Sequence, residues 1–216
     1  MIGLTTMKKT FWENPYQHSL DTKVVSVSGD RILLEETIAF SFSGGQESDK
    51  ASINKLAVIH SEIEGNLIYY TLENGHGLCP GDSVTMEIDW PRRYKLMRLH
   101  FAAELILELV TKKLSIEKIG AHIAETKARI DFIYDKNIFS IFEVILTEYN
   151  KIIEKNALIK TGFSDVENQR RFWEIEGFSK VPCGGTHVKS TAEVGFVTLK
   201  RKNIGNSKER IEILLC

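Results

Sequence analysis

The sequence has few cysteines and no excess of either charge. Its 216 residues include three cysteines, Cys79, Cys183 and Cys216, which do not form the even, regularly spaced set of a disulfide framework. In a reducing compartment such cysteines are metal ligands, nucleophiles or inert thiols. Twenty-eight basic residues stand against 29 acidic ones. This balance excludes a protein that binds nucleic acid by bulk positive charge, although it leaves room for a local basic patch.

Long apolar runs are also missing. No window approaches the roughly 18 consecutive apolar residues of a membrane-spanning helix, and the most apolar stretch, residues 96–110, carries charged side chains. Near the N-terminus the lysines follow the apolar residues, which is the reverse of a secretory signal. We therefore expect a cytoplasmic protein with no membrane partner. With 43% hydrophobic and 26% charged residues, the chain can build a real core, in one large domain or two small ones.

The chain changes character near residue 90. Before that point, short β-rich runs alternate with glycine-containing turns, and many short strands with frequent turns predict a small barrel or sandwich. The predicted strands cover residues 22–27, 31–36, 38–42, 51–61, 66–71 and 83–88.

Helical patterns follow residue 90. Asp89 as N-cap and Pro91 in the first turn predict a helix that ends near Lys113. Apolar residues at spacings of three and four predict a second helix over residues 138–155. The remaining patterns predict strands over residues 128–134, 171–176, 194–200 and 210–215. The residues thus indicate a β domain followed by an α+β domain.

Side chains that bind metals occur in two clusters. His100 and Glu104 stand one helical turn apart, so an imidazole and a carboxylate project from one face of the predicted helix. Cys183 and His187 flank the tripeptide Gly-Gly-Thr, whose glycines give the loop freedom to turn both side chains inward. Pairs at this helical spacing are common by chance, but together the two clusters supply four ligands of types that zinc accepts.

Residues 182–188 (PCGGTHV) and 191–195 (TAEVG) resemble the second metal motif of the alanyl-tRNA synthetase editing domain, which the free-standing AlaX family shares. Residues 40–49 (FSFSGGQESD) resemble the family's glycine-rich segment, and residues 127–132 (KARIDF) resemble a further segment. Residues 98–102 (RLHFA) are similar to its first metal motif, normally His-x-x-x-His. The resemblance extends over nearly the whole chain, in the family's order.

The resemblance implies a fold and an activity. The fold is α+β: a small N-terminal β-barrel domain, residues 1–89, precedes an editing domain, residues 90–216, with an antiparallel sheet and two long helices. The activity is ATP-independent hydrolysis of the ester that joins a wrong amino acid, serine or glycine, to alanine tRNA. A synthetase pocket cannot strongly reject a smaller or near-isosteric amino acid, so a second hydrolytic sieve is needed. One Zn²⁺ per chain is expected on His100, Glu104, Cys183 and His187.

Two positions depart from the family's pattern. Glu104 stands where the second histidine is usual, and Phe101 replaces a small hydroxyl residue. Glu104 is either a fourth ligand or a general base beside three ligands and a water; a third alternative is that no metal binds. Phe101 either packs in the core or lines the pocket, where it offers no hydroxyl to a serine substrate.

Other site residues follow from the resemblance. Gly44 and Gly45 are expected in a loop that faces the site, where the Gln46 amide donates to the substrate carbonyl or to the terminal adenosine. The alternative for this segment is an ordinary hairpin turn. Thr186 either contacts the substrate or caps the turn.

Basic residues cluster at three places that are candidates for tRNA phosphate contacts, one of which is the end of the first helix, at Lys112 and Lys113. Arg92 and Arg93 lie at the start of the first helix, and Lys200 and Lys202 lie in the last predicted hairpin. The alternative for each is a solvated surface position.

The main hypothesis is a cytoplasmic, zinc-dependent aminoacyl-tRNA deacylase that acts in trans. Two rival functions are a non-catalytic tRNA-binding module, in which Glu104 and Phe101 mark lost chemistry, and a metal hydrolase of another acyl ester. The sequence predicts no oligomeric state.

Overall fold

The structure, a computed structural model, describes residues 7–216 and has the α+β class, with antiparallel sheets, that the sequence predicts. It divides into two units. The first comprises residues 7–43 and Ser48–Arg93, and the second comprises Gly44–Glu47 and Tyr94–Cys216. Among the described residues, no helix is both long enough and apolar enough to cross a membrane.

A seven-stranded antiparallel sheet dominates the first unit, in the strand order β6-β5-β9-β2-β3-β8-β7. A separate parallel pair joins β1 to β4. Buried residues alternate with more exposed ones along β8 and β9, because successive side chains of a strand point to opposite faces. The elements are β1 (Lys8–Lys9), α1 (Thr10–Glu13), β2 (Ser19–Ser28), β3 (Arg31–Leu34), β4 (Glu36–Thr37), β5 (Ala51–Ile53), β6 (Leu56–Ala57), β7 (His60–Glu64), β8 (Leu67–Thr71) and β9 (Ser83–Ile88).

One buried ion pair interrupts the apolar core of this unit. The Arg93 side chain is fully buried, and its Nε donates to Asp49 Oδ1 at 2.8 Å while Nη2 binds Oδ2. Nη2 also donates to the Ile38 carbonyl at 2.7 Å, and Nη1 donates to the Pro15 carbonyl at 3.1 Å. The expectation that Arg93 contacts tRNA phosphate is therefore wrong, because this guanidinium is buried and its N–H groups donate to acceptors inside the unit.

The long helix α2 (Trp90–Leu114) begins as the sequence predicts. The Asp89 carboxylate accepts a hydrogen bond from the Arg92 N–H at 3.1 Å, which satisfies one of the unpaired donors of the first turn. The boundary between the units falls within this turn, after Arg93. About two and three helical turns after Arg93, α2 carries His100 and Glu104.

The second unit contains two antiparallel sheets, ordered β10-β11-β16-β15 and β12-β13-β14. The predicted helix over residues 138–155 begins instead with a 3₁₀ turn, Ile138–Ile141, and the predicted strand over residues 194–200 starts late because a short helix ends at Val194. The elements are β10 (Lys118–Ile123), β11 (Ala128–Ile133), α3 (Phe142–Glu154), β12 (Lys160–Asp165), β13 (Arg170–Ile175), β14 (Ser179–Pro182), α4 (Thr191–Val194), β15 (Val197–Asn203) and β16 (Lys208–Leu215).

The buried pair of the first unit yields a prediction about stability. Asp49→Asn keeps the size of the side chain but leaves the Arg93 charge buried without its counter-charge, so we expect it to lower the free energy of unfolding by about 3–5 kcal/mol. Urea titration followed by tryptophan fluorescence measures the change. The matched control is Glu64→Gln, which breaks an exposed pair with Arg31 and should cost at most about 1 kcal/mol. Equal losses for the two variants would contradict this account.

Candidate metal centre

Three side chains of the second unit converge on one point. His100 from α2 and Cys183 and His187 from the loop after β14 each present a ligand atom, and these atoms all lie within 4.8 Å of one another. His100 Nε2 lies 3.5 Å from Cys183 Sγ. In a tetrahedral zinc site with bonds of about 2.0–2.3 Å, neighbouring ligand atoms lie about 3.3–3.8 Å apart. The observed distance therefore fits a shared metal ion.

The two histidines are prepared for ligation in different ways. His100 Nδ1 lies 3.3 Å from the Thr186 carbonyl, and a proton donated there leaves Nε2, once a metal displaces its own proton, as the nitrogen that can share an ion with Cys183. Both ring nitrogens of His187 are buried and have no hydrogen-bond partner among the described residues. A buried polar atom left unpaired costs about 1–3 kcal/mol, and a metal would satisfy one of these nitrogens. On this observation, the residues fit a zinc ion.

The electrostatic surroundings separate the pKa values of the two imidazoles. Burial lowers the pKa of His187 well below its ordinary value, and the charges of His100 and Arg171 lower it further. Burial also disfavours the charged form of His100, but Cys183 and Glu104 outweigh it and raise the pKa of His100. His187 is therefore held as the neutral imidazole, which is the form that binds metal.

Glu104 lies beside the three ligands. Its Oε1 is 3.6 Å from His100 Nε2, and its Oε2 accepts a hydrogen bond from the indole N–H of Trp173 at 2.9 Å. Among the described residues, however, the group of mutually close ligand atoms comprises His100, Cys183 and His187 without it. Burial would raise the pKa of Glu104, but the contacts with His100 and Trp173 outweigh it and lower that pKa.

The two glycines of the loop differ in their surroundings. A Cβ at Gly185 would lie 2.0 Å from His100 Cε1, so no other residue fits there without moving the ring. A Cβ at Gly184 would meet nothing within 4 Å. Neither has a positive φ. The expectation that both glycines serve loop freedom is therefore wrong for Gly185, because this position is dictated by the close approach of loop and helix.

Gln46 lies against the same loop. Its Nε2 donates to Thr186 Oγ1 at 2.9 Å, and its Oε1 accepts from the Thr186 N–H at 3.3 Å. Gly45 adopts a φ of 88°, and its carbonyl accepts from the Ile123 N–H at 2.7 Å at the end of β10. Gly44 also has a positive φ, of 60°. The structure thus brings Gln46 and Thr186 together beside the metal ligands, with both residues buried.

Phe101 forms part of the packing around the ligands. It is fully buried, and its ring lies edge-on to His187 with the centroids 5.6 Å apart. A second edge-on contact, at 5.1 Å, joins it to Trp173. Phe101 therefore packs in the core and in the same position contacts His187.

The remaining expected residues lie outside this cluster. Arg92, in the first unit, is half-buried and donates to the Ser48 carbonyl at 3.2 Å. Lys200 and Lys202 are exposed on β15. None of the three contributes to the group of ligand atoms.

Two residues of β13 belong to the site although sequence reasoning did not select them. Arg171 is buried; its carbonyl accepts from the Cys183 N–H at 2.9 Å, and its Nη1 lies 3.4 Å from the Gly185 carbonyl. Trp173 is fully buried and binds Glu104. The predicted strand over residues 171–176 contained both, but alternation along a strand does not say which buried side chains face a site.

Comparison with known proteins shows which family the chain belongs to. Residues 171–212, which include Cys183 and His187, match the family model described as "Threonyl and Alanyl tRNA synthetase second additional domain". The alanyl-tRNA editing protein AlaX-M of Pyrococcus horikoshii is 33% identical over the full length of both chains. The chain belongs to the AlaX family. The resemblance noted in the sequence is thereby confirmed.

Two further relatives, one of them a much longer ligase, match most of this chain. AlaX-M of Methanosarcina barkeri is 31% identical over 93% of this chain and 95% of its own. The alanine–tRNA ligase of Methanococcus aeolicus is 29% identical over 94% of this chain but only 25% of the ligase. The AlaX chain therefore corresponds to about a quarter of that ligase.

The contact between Gly185 and His100 yields a prediction about metal affinity. Gly185→Ala should displace the imidazole and weaken zinc binding about 100-fold, which is the upper end of the range expected when the surroundings of a metal ligand are disturbed. Competition with a chelating dye measures the affinity. Gly184→Ala, one residue away, should bind zinc as the unaltered protein does. Zinc binding that survives Gly185→Ala would show that the loop and the helix do not hold a common ion.

Proposed function

We propose that this chain is a trans-editing hydrolase that cleaves the ester of mischarged alanine tRNA, Ser-tRNA(Ala) or Gly-tRNA(Ala), with one bound zinc ion. Membership of the AlaX family identifies it as an alanyl-tRNA editing deacylase. The observation that carries the zinc chemistry is the convergence of His100, Cys183 and His187, with both His187 nitrogens buried and, among the described residues, unpaired.

The proposed zinc ligands are His100 Nε2, Cys183 Sγ and a ring nitrogen of His187. Three protein ligands are typical of catalytic zinc sites, which keep a fourth position open. When bound, zinc polarises a carbonyl oxygen and lowers the pKa of water toward about 7. Both effects favour attack on an aminoacyl ester.

Glu104 is proposed as the general base rather than a fourth ligand. Its Oε1 lies near His100 Nε2, the nitrogen that faces Cys183, but Glu104 does not join the three mutually close ligand atoms. Oε1 takes a proton from the attacking water. The water oxygen bonds to the acyl carbon, and the bond between that carbon and the ribose oxygen breaks. Glu104 passes its proton to the ribose oxygen, which leaves as the tRNA hydroxyl. The second water proton is lost to solvent, so the amino acid is released as a carboxylate.

Gln46 and Thr186 are proposed to form the wall that orients the ester. One hydrogen of the Gln46 amide is bound to Thr186, and an amide nitrogen carries two. The second hydrogen can donate to the substrate carbonyl, while Gly44 and Gly45 give the backbone its turn toward β10. Phe101 supports His187 and offers no hydroxyl, so a serine substrate would be recognised by size.

The proposal also covers the rest of the molecule. Lys200 and Lys202 on β15, together with Arg92, are proposed to contact tRNA phosphates, a sequence-independent role that suits a neutral chain. We assign residues 1–89 to a small β-barrel domain and residues 90–216 to the editing domain, whose two long helices are α2 and α3. The three cysteines are free, which agrees with a reducing compartment such as the cytoplasm.

The direct test is deacylation of Ser-tRNA(Ala) and Gly-tRNA(Ala) by the zinc-loaded protein. We expect both esters to be cleaved faster than in buffer, with correctly charged Ala-tRNA(Ala) spared. Cys183→Ala should lose its zinc and lower the rate at least about 100-fold, because it removes a metal ligand. Cys216→Ala removes an exposed thiol and should retain both zinc and activity.

The contradicting results differ in what they imply. If neither ester is cleaved but the tRNA still binds, the chain is a non-catalytic tRNA-binding module. If another acyl ester is cleaved and tRNA does not compete, the chain is a hydrolase of a different substrate. If Cys183→Ala retains zinc and activity, this thiol is not a ligand.

A further inference from the structure

The two positions that depart from the family's first metal motif meet at one side chain. Trp173 on β13 packs edge-on against the Phe101 ring at 5.1 Å and donates its indole N–H to Glu104 Oε2 at 2.9 Å. Trp173 is fully buried and Glu104 is partly exposed, so the donor side of this hydrogen bond is shielded from solvent. Phe101 in turn contacts His187. Trp173 therefore touches both residues that distinguish this chain's helix from the usual motif.

The hydrogen bond distinguishes the two oxygens of the Glu104 carboxylate. A carboxylate has two nearly equivalent oxygens and accepts hydrogen bonds at either. The indole occupies Oε2, and Oε1 is the oxygen that lies 3.6 Å from His100 Nε2. An indole N–H is a donor only, which suits an ionised carboxylate. A carboxylate fixed in this way needs little reorganisation when it reacts.

We propose that Trp173 is the positioning residue for Glu104 and selects the carboxylate oxygen presented to the metal centre. Trp173 thus holds the carboxylate of Glu104, which stands at the position where a histidine is usual in the family. The consequence for catalysis rests on the proposed function. The hydrogen bond between Trp173 and Glu104, and its response to zinc, do not depend on the proposed function.

The first test is spectroscopic and needs no substrate. The chain has three tryptophans, Trp12, Trp90 and Trp173, so an ¹H–¹⁵N spectrum shows three indole resonances. Glu104→Gln should shift the Trp173 resonance and leave the other two in place. Zinc added to the metal-free protein should shift the same resonance, and should shift it less in Glu104→Gln. This measurement leaves Trp173 itself unaltered, so it does not depend on a variant that loses the core indole.

The second test is kinetic. Trp173→Phe keeps an aromatic ring against Phe101 but removes the donor, so kcat on mischarged tRNA should fall about tenfold with KM unchanged within twofold, as for one lost hydrogen bond to a charged group. In the Glu104→Gln background the same substitution should change kcat less than twofold. Trp90→Phe, in the first unit, is the matched control and should leave kcat and KM unchanged.

Each contrary result overturns the proposal. If the chemical shift of the Trp173 indole is unchanged by Glu104→Gln or by zinc, the indole does not hold this carboxylate beside the metal. A fall in kcat of the same size with and without Glu104→Gln shows a packing role alone. If the zinc-loaded protein cleaves neither ester, the proposed function fails, and the resonance measurement by itself decides the role of Trp173.

Discussion

The approach of one loop to one helix determines the whole site. Gly185 lies so close to the His100 ring that a single added carbon would overlap it. At this distance the Thr186 carbonyl reaches His100 Nδ1, and Cys183 Sγ faces Nε2. The loop is held from both sides, because the Cys183 N–H binds the Arg171 carbonyl and the Gln46 amide binds Thr186. Ordinary backbone and amide hydrogen bonds thus hold a thiol and two imidazoles together.

Burial gives this cluster its chemical character. His187 is kept neutral in a place where, among the described residues, neither nitrogen has a partner, which is costly unless an ion is bound. Where the family's motif has a neutral imidazole, this chain has a half-buried carboxylate, and a charge that is partly removed from water needs a hydrogen-bond partner. Trp173 supplies that partner. The replacement at residue 104 therefore need not mean lost chemistry, because the structure provides for the charge that it introduces.

The parts of the site that sequence could predict were set by local geometry. One helical turn separates His100 from Glu104 in any helix, and the spacing from Cys183 to His187 lies within one loop. Features that depend on contacts between distant parts of the chain could not be predicted. The sequence around Arg93 predicts an exposed charge, because its partner Asp49 lies 44 residues away in the chain. No local pattern indicates that the indole of Trp173 donates to Glu104. Likewise β12, all of whose residues are exposed or only partly buried, lacks a clear alternating pattern.

The most direct measurement of the central claim is X-ray absorption at the zinc edge on the zinc-loaded protein and on Cys183→Ala. The account predicts one sulfur at about 2.3 Å with two imidazole nitrogens at about 2.0–2.1 Å, and loss of the sulfur shell in the variant. A zinc shell without sulfur, or a sulfur shell that persists in Cys183→Ala, would contradict it.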